Sequence, residues 1–308
     1  MSTIPSTRIS FFIACLTITC TLFLPLRLAS FTSIHPRLIE VDLLLARGEL
    51  TEAVELLTAY YQEPADIQPL QIAWRLAQSH IYIADHLMYQ GISDDRVEAA
   101  FDTAQEWLDV AMEIDDSQHF AYFWQAALIG QRGIYNGPLN SLATSGQMRD
   151  LLIKSAQMEP TAGYIYYTAS FLYELLPRFF SFGDRDAAVS LARTGIMYHL
   201  KMVEDGLVVH DFQDNRLQLA RALWHRDWDQ ERRRAEQAVK RDMLKQVADP
   251  FERAKLMEGI MEIPEMSDRQ EALAILDQVQ ARLDYPDRLY ADERDWEKLM
   301  QLRAAWQD

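Results

Sequence analysis

The groups in this chain with chemistry to offer are seven histidines, two cysteines and a large stock of carboxylates. The histidines are His35, His80, His86, His119, His199, His210 and His225. No two stand at the i, i+4 spacing that brings two imidazoles onto one metal, and no His-Glu-x-x-His motif is present. His80 and His86 are six apart and so point to different helical faces. Both cysteines, Cys15 and Cys20, fall near the start, so the body from Arg37 onward has no thiol nucleophile and no Cys-type zinc site. A nucleophile elbow, a Walker loop and a dinucleotide fingerprint are all missing. Paired carboxylates at Asp94-Asp95 and Asp115-Asp116 read as helix-start residues that favour the positive end of the helix dipole. A catalytic dyad is the alternative. The run Arg232-Arg233-Arg234 is offset by Asp227, Asp229, Glu231 and Glu236, and reads as a solvated, salt-bridged helix face.

The least ordinary stretch is Leu176-Pro-Arg-Phe-Phe-Ser-Phe-Gly-Asp184, which places three phenylalanines in a connection between helices, where chains normally meet water. Three readings follow. The loop folds back to plug the core, with Gly183 making the turn and Asp184 capping the next helix. Alternatively, Phe179, Phe180 and Phe182 line an apolar pocket, with Arg178 available for a carboxylate ligand. In the third, they form an exposed patch that docks a partner. Tyr164, Tyr166, Tyr167 and Tyr173 on the preceding segment can share any of these roles, although a helical aromatic stripe is more often core. The candidate binding residues are therefore Tyr164, Tyr167, Tyr173, Arg178, Phe179, Phe180 and Phe182.

The elements that must hold these residues read as helices throughout. Only 11 glycines occur in 308 residues, about half the usual ~7%, which disfavours sandwiches, barrels and nucleotide-binding α/β folds. Strand-length alternation is missing, and the one Asn-Gly, Asn136-Gly137, precedes Pro138 in a Gly/Ser/Asn-rich connection. One frame recurs: a small residue, with partners four and seven further on, lets a second helix lie close. It is filled by Ala53, Leu57 and Tyr60, by Ala104, Leu108 and Ala111, by Ala188, Ala192 and Gly195, and by Ala272, Leu276 and Val279. Between these lie amphipathic partner segments over 70–89, 120–129, 162–176 and 212–224. Acid-proline pairs at Glu63-Pro64, Glu159-Pro160 and Asp249-Pro250, with Ile263-Pro264, punctuate the starts and stops. The uneven spacing of the frame predicts degenerate repeats in one all-α solenoid of antiparallel helix pairs.

This alternation resembles a divergent tetratricopeptide solenoid. A narrower match runs through Tyr122-Phe-Trp-Gln-Ala-Ala-Leu-Ile-Gly130, Leu151-Leu-Ile-Lys-Ser-Ala156-Gln-Met-Glu-Pro160 and Leu176-Pro-Arg-Phe-Phe-Ser-Phe-Gly-Asp184. That order is similar to the TatT-like T-component proteins associated with TRAP-type transporters, over roughly residues 94–226. The match departs from the family where Phe-Ser-Phe precedes Gly183, and in the poor lipid-attachment context of Cys15 and Cys20. The resemblance implies a periplasmic helical protein whose partner is a transporter's solute-binding subunit.

Residues 1–36 carry Arg8 and Arg27 and no Asp, Glu or Lys, and the run from Ile9 to Leu26 is free of charge. This segment is expected to be a signal peptide or membrane anchor, giving membrane contact and a place in the periplasm or cell envelope. Residues 37–308 are expected to form the TPR-like helical repeat domain. The formal charge of −16 for the whole chain repels phosphate backbones and argues against nucleic acid. The combined expectation is a non-enzymatic adaptor without metal or cofactor, binding a protein partner and a small apolar or carboxylate ligand. The competing expectation is a carboxylate-dependent hydrolase or lyase acting on envelope polymers, which a carboxylate pair with a shifted pKa in one cleft would favour.

Overall fold

Prolines and side-chain caps set where the helices begin. In the computed structural model, residues 34–64, 66–179 and 181–306 are described, and their regular elements are thirteen α-helices and one 3₁₀ turn. The first two helices, α1 (Pro36–Arg47) and α2 (Leu50–Gln62), are joined through Gly48, whose φ of 75° is left-handed and suits a residue without Cβ. Three pairs follow, α3 (Pro69–Tyr89) with α4 (Asp95–Ile114), α5 (His119–Tyr135) with α6 (Pro138–Met158), and α7 (Gly163–Leu175) with α8 (Arg185–Glu204). Short turns make the members of each pair antiparallel. The fifth pair, counting α1 with α2, is α9 (Asp214–Arg226) with α12 (Asp268–Leu283). Between its members lie α10 (Gln230–Leu244), α11 (Pro250–Ala254) and the 3₁₀ turn Met257–Ile260. The final helix, α13 (Tyr290–Ala305), packs on α9, α12 and α1, so the end of the described chain meets its beginning.

The recurring frame of small residues falls on α2, α4, α8 and α12, the second members of their pairs. Every one of its residues is buried except the half-buried Tyr60. Its closest crossing joins α7 to α8. A Cβ on Gly163 would lie 2.5 Å from the His199 backbone nitrogen, and one on Gly195 would lie 2.9 Å from that of Tyr167. The uneven spacing beyond Ala188 has a cause in the α10–α11 insertion. That insertion is held by a buried ion network in which Arg193, Arg226, Arg233 and Lys240 face Asp186, Glu258, Asp268 and Glu271. Burial alone would raise the Glu258 carboxyl, but Arg226, Lys240 and Arg193 hold it well below the usual range.

Three local expectations are corrected. Arg233 does not belong to a solvated face: it is 3% exposed and pairs with Asp268 and Glu271, partners too distant in sequence to be recognised there, while Arg234 pairs at the surface with Glu265. Asp94 caps the start of α4 by accepting from the Arg96 amide, but Asp115 stands at that helix's end. The connection after α5 shrinks to Asn136-Gly137, because Gly137, with φ 91°, turns the chain and Pro138 opens α6. The expected signal peptide or anchor, with Cys15 and Cys20, lies outside the described residues up to residue 33. Among the described residues, no helix is long and apolar enough to cross a membrane.

Candidate functional site

The α7–α8 loop is fixed at its C-terminal end. A Cβ on Gly183 would fall 1.8 Å from the Leu176 carbonyl oxygen, so only glycine fits. The Asp184 amide donates to the Tyr173 carbonyl at 2.9 Å, and the Asp184 carboxylate accepts from the amides of Asp186 and Ala187. That cap is the one expected from sequence. Within this frame the aromatic residues part company. Phe182 turns inward, its ring 5.2 Å from that of buried Tyr173, with the Arg149 guanidinium 4.6 Å from its centroid. Burial pushes the Tyr173 phenol up to about 12. Phe179 turns outward and is 95% exposed, beside an exposed Arg178 that pairs with no described residue. Phe180 lies outside the described residues.

Tyr164 and Tyr167 face elsewhere, along a row of rings that crosses from α3 to α9. Trp74 stacks on Phe120 at 4.4 Å, Phe123 lies 4.4 Å from Tyr164, Tyr167 lies 5.0 Å from Phe171, and Arg221 covers Phe171 at 4.4 Å. The Tyr164 hydroxyl and His119 Nε2 are 2.5 Å apart. Burial lowers this imidazole to about 4, leaving it neutral near pH 7. The six described candidates therefore do not converge on one pocket. Tyr164 and Tyr167 belong to this inner row, Tyr173 and Phe182 seal the core, and Arg178 and Phe179 are displayed to solvent.

Around Tyr167 the structure assembles a group of acids that spacing did not reveal. The Tyr167 hydroxyl donates to Asp214, which also accepts from Lys298 Nζ at 2.7 Å. The Asp214 amide, at the start of α9, donates to Asp295 Oδ2 at 3.0 Å. Burial first, and the Asp214 charge second, push the Asp295 carboxyl up to about 7. Burial also opposes ionisation of Asp214, but Lys298 outweighs it and holds this carboxyl below the usual range. One turn earlier on α13, Asp292 accepts from His210 Nε2 at 2.9 Å and from the Tyr285 hydroxyl. Asp292 and Lys298 each stand three residues from Asp295 on α13, a spacing legible in sequence. Asp214 is some eighty residues away, which no local pattern spans. Asp295 is 3% exposed, with Lys298 and Tyr167 engaging its neighbour Asp214.

Exposed apolar side chains gather where helix pairs turn. Ile134 and Leu139 flank the α5–α6 turn with 66% and 86% exposure, and Leu175 at the end of α7 is 66% exposed. In both α5–α6 and α7–α8 these residues lie at or beside the turn that joins the pair. The chain matches no protein-family model and no curated protein.

Proposed function

We propose that the helical body is a non-enzymatic, TPR-like adaptor of the cell envelope, which docks a protein partner through the turns of these helix pairs, Phe179 among them. The observation behind this reading is the display of Phe179, Leu139, Leu175 and Ile134 on neighbouring turns. Scattered single apolar residues need no explanation, but several large ones displayed at the turns of successive helix pairs suit a contact surface. Stacked helix pairs suit such a role, since they present surface without requiring reactive groups. The TatT-like order of motifs makes a transporter's solute-binding subunit the first partner to test, and the charge-free run from Ile9 to Leu26, read as a leader, favours an encounter at or beyond the membrane. The test is affinity purification from membranes with wild type and with Phe179→Glu. A solute-binding subunit recovered with wild type and lost with the variant supports the reading. Equal recovery by both sinks it.

A second reading, an acid-base enzyme acting on envelope polymers, has one observation in its favour: Asp295 is pushed towards neutrality beside an ionised Asp214. It ranks below the adaptor because Asp295 is almost wholly buried. Hydrolysis of peptidoglycan by wild type, abolished in Asp295→Asn, would reverse that order.

A further inference from the structure

A cavity of about 280 Å³ lies between α8, α9, α12 and the segment preceding α12, away from the α7–α8 loop and from the acids on α13. Ile196, Leu219, Met266 and Ile275 give it apolar walls. Two charged side chains line it, and they differ in kind. Glu271 is spent: Arg193 donates to both its carboxylate oxygens, and Arg233 Nη2 adds a further bond to Oε2. Arg216 is not. Its Nη1 donates to Asp211 Oδ1 at 2.9 Å and to Gln213 Oε1 at 3.2 Å, while its Nε and Nη2 hydrogen-bond nothing among the described residues. Asp211 divides its charge with Arg282, 3.3 Å away, and with His199, so it does not fully neutralise Arg216. Arg216 is only 9% exposed. A guanidinium with its Nε–Nη2 edge free offers a two-point, charge-assisted contact to a carboxylate.

We propose that this cavity is a binding site for a small monocarboxylate with an apolar body, its carboxylate held by the free edge of Arg216. Size, wall chemistry and charge all point to that class. A volume of about 280 Å³ has room for a short branched or phenyl-bearing acid. The walls offer no cation for a second carboxylate, and Glu271 would repel one. Gln278 is exposed at the rim, where a ligand would enter. The site goes beyond the docking surface proposed above and shares no residue with it.

The probes are phenylacetate and its neutral isostere phenylacetamide, titrated calorimetrically into the intact protein. Phenylacetate is expected to bind about tenfold or more tighter than the amide, the scale of a hydrogen-bonded pair with a charged partner. Ala274→Phe, which fills the cavity from its apolar wall and leaves Arg216 in place, is expected to abolish binding of the acid. Arg216→Gln is expected to remove the preference for acid over amide. Phe179→Glu is expected to leave acid binding unchanged, which separates this site from the docking surface. No binding of the acid by wild type, equal affinity for acid and amide, or undiminished binding in Ala274→Phe would each overturn the proposal.

Discussion

Replacing Asp295 by asparagine isolates one carboxyl whose environment opposes its charge. In the folded chain it is buried between α13 and the start of α9, accepts the Asp214 amide, and has the ionised Asp214 beside it. Its pKa rises from the ordinary 3.8 to about 7. Between those values the folded state binds more proton than the unfolded state, so stability falls as pH rises, and the penalty is complete above about pH 7. At 1.36 kcal/mol for each pH unit, the full penalty is on the order of 4 kcal/mol, more than half of which falls between pH 5 and pH 8. Asparagine keeps the shape and an oxygen for the Asp214 amide but cannot ionise. His119 runs the other way, because its lowered pKa makes acid destabilising, and the same holds for Glu258. The quantity to read is therefore the difference between variant and wild type. Urea unfolding followed by far-ultraviolet circular dichroism is expected to show Asp295→Asn gaining on wild type by a few kcal/mol, on the order of 3, as pH goes from 5 to 8. A difference that stays flat, or that turns against the variant at high pH, would refute the account of this site.

Other substitutions test the packing. Gly163→Ala puts a methyl group against the His199 nitrogen and the Gly195 carbonyl, both backbone, and is expected to cost about 1–3 kcal/mol in urea unfolding. Arg226→Met leaves Glu258 and Asp268 short of a cation and is expected to cost about 3–5 kcal/mol, read as a lowered denaturation midpoint. Within the α7–α8 loop, Phe179→Ser is expected to change stability by less than about 0.5 kcal/mol and Phe182→Ala to cost about 1–2 kcal/mol, because only the second ring is withdrawn from water. Equal costs for the two would contradict the division of that loop into an inward and an outward ring.

Much of the architecture was legible because its determinants are local. Small residues at fixed offsets, as in Ala104, Leu108 and Ala111, mark the helix that a partner must approach, and proline after an acid marks the ends. The α3, α5, α7 and α9 partner segments were each placed within a few residues of their observed bounds, apart from the end of α5. What could not be read locally was whatever joins distant segments. Arg233 looks solvated beside Glu231 and Glu236, and only the fold delivers Asp268 and Glu271 to it. Asp295 looks like one surface acid among many until α9 brings Asp214 against it. The loop of phenylalanines shows the same boundary: composition marked it as unusual, whereas the direction of each ring depends on Tyr173 and Arg149, which the fold supplies.

Site-specific photocrosslinking in membranes tests the docking surface most directly. A photoreactive phenylalanine analogue is placed singly at position 179, 139, 164 or 182, and crosslinked species are identified by mass spectrometry. The account predicts one shared partner captured from 179 and 139, with none from the inward positions 164 and 182. Capture from 164 or 182 without capture from 179 would contradict it.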